Sequence, residues 1–328
     1  MAATQVLIRE PRTTRLWAVA RWSAMAAVPP LLVGLVLAPG ATLTALWYGV
    51  IPLLPATFFL SPVLWRGVCP LATLNEWGNR LGAQRALSQR GAAALSVGGL
   101  LLFHLMVPAR RLLFNANGPV LAATVLAVAV LALLLGAVFV VRSGFCNALC
   151  PVLPVELLYG QAPLLRLDRG RCTSCTVCTP RRCQDLVQGK AFSRFLEPGR
   201  GLAGWLTTPY GMFIAALPGF IVGYSLLTDV PLRAAASVYG TTLGASLASY
   251  AVIAALVLGF RVPSRVAHPL IAALAGELYY WYAGPAIATH LREAGWLGTG
   301  LRGVGMGLVA LWLVRTLARR TNNGEGSG

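Results

Sequence analysis

Eight apolar runs of about 20 residues, spread along 328 residues, restrict the fold of this chain more than any other feature. A helix of that length spans the hydrocarbon core of a bilayer, where each segment must satisfy its own backbone N–H and C=O groups. The runs lie at 17–38, 42–62, 92–108, 118–141, 208–228, 236–259, 268–290 and 296–315. Only 11% of the residues are charged, against roughly a quarter in soluble domains. The expected fold is therefore an all-α polytopic membrane protein with eight transmembrane helices. Pro29, Pro30, Pro52 and Pro55 remove donors inside the first two runs, so a broken or re-entrant pair is an alternative there.

Twenty-seven basic residues face ten acidic ones, a net charge of +17. The basic residues lie between apolar runs instead of gathering in one domain, which points to lipid head groups and topology, not to nucleic acid. If the amino terminus is inside, 22 of the 27 fall on the cytoplasmic side. Arg110, Arg111, Arg233 and Arg292 fall outside and Arg302 falls within a run. This bias predicts both termini in the cytoplasm. The first run is too long for a signal-peptide core and no small-residue cleavage site follows it, so it reads as a retained signal anchor. The expected organisation is a four-span half over 1–142, a cytoplasmic loop over 143–207, a second four-span half over 208–320, and a polar, disordered tail over 321–328.

All seven cysteines then lie at or beyond the cytoplasmic face. Cys172, Cys175, Cys178 and Cys183 form a C-x2-C-x2-C-x4-C run in the most basic loop. Three thiolates within seven residues suit the corners of an iron-sulfur cube better than the paired knuckles of a zinc site, although four thiolates can also close a zinc tetrahedron. An odd cysteine count and such close spacing argue against a disulfide framework. Arg166, Arg169, Arg171, Arg181 and Arg182 crowd the run, where they would raise a cluster's potential, touch lipid heads, or both.

The remaining three cysteines belong to an internal echo. Leu64-Trp65-Arg66-Gly67-Val68-Cys69-Pro70 follows the second run, and Gly144-Phe145-Cys146-Asn147-Ala148-Leu149-Cys150-Pro151 follows the fourth. A short amphipathic segment comes after each, 74–81 and 155–159, so the pattern reads as a duplicated helical hairpin with a cysteine-bearing exit. Pro151 and Pro154 predict that the helix ends at the second exit.

A span ending in C-x3-C-P, its partial repeat one hairpin earlier and a following C-x2-C-x2-C loop resemble the membrane-bound 4Fe-4S polyferredoxins. That family includes the NapH-type quinol dehydrogenase subunits, the membrane half of NosR and the FixG/CcoG-type proteins. The resemblance covers roughly residues 42–185. It implies electron transfer in the bacterial inner membrane, within a complex of partner redox proteins, by a subunit and not a self-contained enzyme. The chain departs from the family pattern in three ways. Trp65 stands where the first leading cysteine belongs, the last cysteine spacing is four with Pro180 inside the gap, and there is one cluster run where the family has two.

By ferredoxin logic Cys172, Cys175 and Cys178 take a remote fourth ligand, Cys150, and Cys183, Cys146 and Cys69 hold a second cluster with one non-cysteine corner. The alternative is one cluster on Cys172, Cys175, Cys178 and Cys183, with the membrane-edge cysteines structural. A non-redox assembly, scaffold or transport subunit with a zinc-binding or structural cysteine loop is the rival reading.

Within the runs, His104 and His290 lie near the outer face, either as ligands of a haem b or as hydrogen-bonded interfacial residues; no haem is assigned. Glu277, in a stretch with Tyr279, Tyr280 and Trp281, is an acid at membrane depth. It reads as part of a quinone site, as a protonated acid bonded to a neighbouring helix, or as a partner of Arg302. Gly240 and Gly244, with Gly303, Gly305 and Gly307, permit close helix contact.

Overall fold

The computed structural model describes residues 12–82, 85, 87–139, 144–165, 167, 204–291 and 295–322. Regular structure among them is helical, apart from one isolated bridge between Arg85 and Phe139. In chain order the helices are α1 (Arg12–Leu37), α2 (Pro39–Leu60), α3 (Pro62–Val68), α4 (Pro70–Leu81), α5 (Gln89–Ala109) and α6 (Gly118–Val138). They continue with α7 (Leu153–Tyr159), α8 (Pro209–Ser225), α9 (Ala235–Gly259), α10 (Ser264–His290) and α11 (Gly295–Asn322).

Every apolar run read from the sequence coincides with a long helix. Six of these, α1, α2, α5, α6, α9 and α11, are long and apolar enough to cross a membrane. The other two fall short for different reasons. Helix α8 has 17 residues, about 26 Å at 1.5 Å per residue. Helix α10 is long enough but carries Arg265, His268 and Glu277. At the carboxyl end α11 runs on through Thr321 and Asn322, two residues into the segment read as tail.

The prolines of the first two runs have unequal effects. Helix α1 carries Pro29 and Pro30 without interruption. Helix α2 instead widens into a π-turn at Ala45–Val50, ahead of Pro52 and Pro55, where the missing donors are accommodated.

In the second half, long helices that are neighbours in sequence pack along each other in antiparallel pairs, α8 with α9 and α10 with α11, whereas in the first half α6 packs mainly on α4. Helices α1 and α2 turn at Ala38, whose N–H donates to the Gly34 carbonyl at 2.8 Å. The start of α1 returns to α4, where Arg21 bonds Glu76 at 2.8 Å and the Trp22 and Trp77 rings stand 5.8 Å apart. Helices α5 and α6 join through a π-turn at Arg110–Phe114, and Asn117 caps α6 by accepting the Val120 N–H. In the second half Ser249 of α9 donates to the Ala215 carbonyl of α8, and Gly284 of α10 backs onto Gly298 of α11.

Helix α4 crosses α6 at backbone distance. Gly78 lies against the Leu133 carbonyl and Gly136 against the Asn75 carbonyl, so neither site has room for a Cβ. Asn75 and Asn79 lock the crossing by donating to the Ala132 and Phe139 carbonyls, each at 2.8 Å. Gly136→Ala is expected to cost about 1–3 kcal/mol through overpacking. Gly240→Ala on α9, where an added methyl meets nothing within 4 Å, should leave stability unchanged. Thermal unfolding in detergent distinguishes the two.

The core gathers around α7. Leu153, Pro154, Glu156, Leu157, Leu158 and Tyr159 are all buried, which corrects the amphipathic reading of 155–159. The face that reads as polar is covered from outside the hairpins, because α8 and α10 and the aromatic Trp312 of α11 join the same core. Tyr159 stacks on Phe59 of α2 at 4.4 Å, and Phe59 meets Trp312 edge-on at 5.1 Å.

Candidate functional site at the paired Cys-Pro elbows

The two cysteine-bearing exits have nearly the same backbone. Cys69 has φ −55° and ψ 119°, and Cys150 has φ −58° and ψ 120°. A residue before proline is driven out of the helical region, so each Cys-Pro step stops one helix and the proline opens the next structure. The stops differ in pitch. Cys69 donates its N–H to Trp65 four residues back, whereas Cys150 closes a π-turn (Phe145–Leu149) by donating to Phe145 five residues back, each at 2.9 Å. Trp65, which replaces the leading cysteine, packs against the apolar core.

Both elbows are held by the α5–α6 hairpin. The first is continued by α4, which is clamped to α6 as described. The second presses its Leu149 and Ala148 carbonyls onto Gly99 of α5, at 2.9 and 3.0 Å from where a Cβ would stand. Cys69 thereby stands close enough to Cys150 to act on its ionisation. The Val152 and Leu153 N–H groups lie near the Cys150 sulfur and favour its charged form. Beside the cysteines, Arg66 of α3 and Glu156 of α7 form an ion pair whose side chains are only 10% and 8% exposed. Tyr210 of α8 and Ser96 of α5 close the site, Tyr210 lying within the fields of Cys150, Glu156 and Arg66.

Cys150 stands in the connection between α6 and α7, outside the spanning helices. Burial pushes its thiol up to about 12, with the neighbouring Cys69 adding to the effect. Metal-free protein therefore keeps this proton where the unfolded chain, with an ordinary thiol near 9.0, has lost it. Stability is whole below pH 9 and falls as pH rises from about 9 toward 12. Denaturant unfolding of metal-free protein across that window should show the fall, and Cys150→Ala should flatten it.

A metal displaces such a proton outright, and amide hydrogen bonds to sulfur are a second-shell feature of iron-sulfur ligation. Two neighbouring, partly buried thiols thus fit as part of a thiolate set. They do not complete one: among the described residues no three His, Cys, Asp or Glu side chains converge on a metal position. Cys146 lies in the π-turn, partly buried, one turn before Cys150. Cys172, Cys175, Cys178 and Cys183, with Arg166, Arg169, Arg171, Arg181 and Arg182, lie outside the described residues. The flanks of that loop are fixed at the elbow end. Leu164 and Leu165 donate their N–H groups to Phe59 and Leu60 at 3.0 and 2.8 Å, and Trp205 is buried against His268.

The other residues singled out from sequence stand elsewhere. The Nδ1 of His104 lies 2.9 Å from its own-helix Leu100 carbonyl, and the ring sits among Phe103, Phe213 and Phe220. His290 has both nitrogens engaged, with the Ala286 carbonyl and the Tyr48 hydroxyl, each at 2.8 Å. Glu277 does not pair with Arg302, whose Nε donates to the Trp281 carbonyl at 3.0 Å. Tyr280 turns into the bundle toward the Pro52 carbonyl. The Arg66–Glu156 pair, absent from the sequence reading, had a signal: Glu156 is an acid in an otherwise apolar stretch, six residues past a Cys-Pro step.

No family model matches this chain, and no curated protein or solved structure matches it significantly.

Proposed function

We propose that this chain is an integral membrane iron-sulfur protein that passes single electrons between a quinol or a cytoplasmic reductant and a partner redox complex. The observation that carries the reading is that Cys69 and Cys150, on two equivalent elbows, stand near enough to act on each other electrostatically, at the bundle end where 168–203 leave and return. That segment contains the C-x2-C-x2-C-x4-C run. Cys69 and Cys150 would hold a 4Fe-4S cluster together with thiolates from Cys146, Cys172, Cys175, Cys178 and Cys183, in one cluster or two. Bound there, the cluster supplies one-electron storage.

The chain's own residues set its surroundings. The Val152 and Leu153 amides favour charge on the Cys150 sulfur, the Arg66 cation lies nearby, and α7 and α8 exclude water. In this reading α8 and α10 also cross the bilayer, giving eight spans. Both are lined with buried residues and sheltered by neighbours, so neither needs the lipid-facing apolarity of α6. The arginine bias supports a bacterial cytoplasmic membrane location with both termini inside.

Anaerobic purification with iron, sulfide and zinc analysis, combined with paramagnetic resonance of the reduced protein, tests this. About four or eight irons per chain with matching sulfide, and a signal on reduction, are expected. Colourless protein with one zinc and no sulfide overturns the redox reading in favour of a non-redox assembly or scaffold subunit.

A further inference from the structure

At the end of the bundle opposite the elbows, two arginines are short of acceptors. Helix α8 leads there: Tyr210 stands beside the elbows, and Tyr224 lies about 21 Å further along the axis. The π-turn that follows α5 brings Arg111 over the Tyr224 ring at 4.8 Å. Arg110 of the same turn lies 4.4 Å over Trp47 and 5.4 Å over Tyr48 of α2. Both guanidiniums are close enough to the Tyr224 hydroxyl to act on it electrostatically.

Acceptors near these donors are few. Asp229 accepts from Arg111 at 3.2 Å and from Asn115 at 2.8 Å, while the Asn115 Oδ1 accepts from the Arg110 Nε at 2.7 Å. Tyr48 has its hydroxyl engaged with the His290 Nε2 at 2.8 Å. Among the described residues Arg110 has no carboxylate at ion-pair distance. The Tyr224 hydroxyl and the Arg111 Nε are buried with no hydrogen-bond partner at all. Two cations thus face one carboxylate, and buried donors are left unmade, a deficit that an oxyanion corrects on both counts.

The depth of the site selects the source of that oxyanion. Helix α5 has 21 residues, about 31 Å, which is the thickness of a hydrocarbon core, so the arginines after it stand at head-group level. Guanidinium forks match phosphate oxygens in geometry as well as charge. Faces of Trp47, Tyr48 and Tyr224 that could take a choline ammonium already carry the guanidiniums, whose surplus charge repels it.

We propose that Arg110, Arg111 and Tyr224 form a binding site for the phosphodiester of an anionic phospholipid, in the leaflet away from the elbows. The phosphate oxygens accept from the guanidinium N–H groups that Asn115 and Asp229 leave free, and from the Tyr224 hydroxyl. The proposal is independent of what the cysteines bind.

The full-length protein, delipidated in neutral detergent with its metal content intact, is titrated with phosphatidylglycerol, phosphatidylcholine or inorganic phosphate while thermal unfolding is followed. Phosphatidylglycerol is expected to raise Tm saturably, with the other two at least about tenfold weaker. Arg110→Gln and Arg111→Gln should each weaken phosphatidylglycerol binding about tenfold, the worth of a hydrogen bond to a charged group. Arg90→Gln, which removes an exposed arginine at the other end of α5, should not. Tyr224→Phe removes only the orphaned hydroxyl. Without lipid it should unfold at or above the wild-type temperature, yet bind phosphatidylglycerol several-fold more weakly; this variant decides the matter if the arginine variants fail to fold. Equal shifts with phosphatidylglycerol and phosphatidylcholine would overturn the proposal, as would wild-type phosphatidylglycerol binding by Tyr224→Phe. An equal shift with inorganic phosphate at the same concentration would assign the site to a soluble anion and overturn the lipid reading.

Discussion

Glu156→Ala and Arg66→Ala are each expected to destabilise the protein by about 3–5 kcal/mol, the cost of leaving one buried charge without its partner. Both side chains are almost fully enclosed, and Glu156 sits on a helix with no solvent face. The pair also stands against the elbows, so the damage should spread to metal retention. A double replacement, Arg66→Met with Glu156→Leu, removes both charges and keeps the volume; it should recover most of the lost stability. Unfolding by denaturing detergent, measured for the two single variants and the double, gives the coupling between them. Near-additive losses would mean that the two charges are stabilised separately.

Under the proposed reading, Cys69→Ala and Cys150→Ala are each expected to labilise the cluster they hold, with a loss of up to about four irons per chain, because a corner without its thiolate no longer retains its iron firmly. The double variant separates the two arrangements. If both elbows serve one cluster, it loses no more iron than either single; if they serve different clusters, the loss doubles. Iron and sulfide per chain provide the measurement, with the thermal transition as a control for folding. Unchanged iron in both single variants would show that the elbows hold none of the metal.

The parts of this fold that could be read from sequence are those set by length and local sterics. Apolar run length located every long helix, and Cys-Pro located both elbows, because proline constrains the residue before it whatever the surroundings. The duplicated motif was also legible, and the matching φ and ψ at Cys69 and Cys150 follow from it. Long-range relations were less so. Nothing local says that α4 lies on α6 or the second elbow on α5; the clue was glycine and asparagine at Gly78, Gly136, Gly99, Asn75 and Asn79, which are individually unremarkable. The 155–159 segment read as amphipathic because its cover comes from helices that begin some fifty residues later. Glu277 and Arg302 looked like partners on neighbouring spans, but α11 sets Arg302 level with Gly284, about two turns from Glu277, and its guanidinium rests on Trp281.

The burial of α7 bears on how the protein is made. Its walls include Tyr210, Phe213, Ile271 and Trp312, all translated after it, and Trp312 belongs to the last helix of the chain. Synthesis runs from the amino terminus, and domains tend to fold in that order. Both elbows therefore leave the ribosome while one side of their chamber is still open. The carboxyl-terminal helices seal it afterwards, so an assembly intermediate ending before α8 would leave bare the α7 face, Glu156 included, that the finished protein encloses.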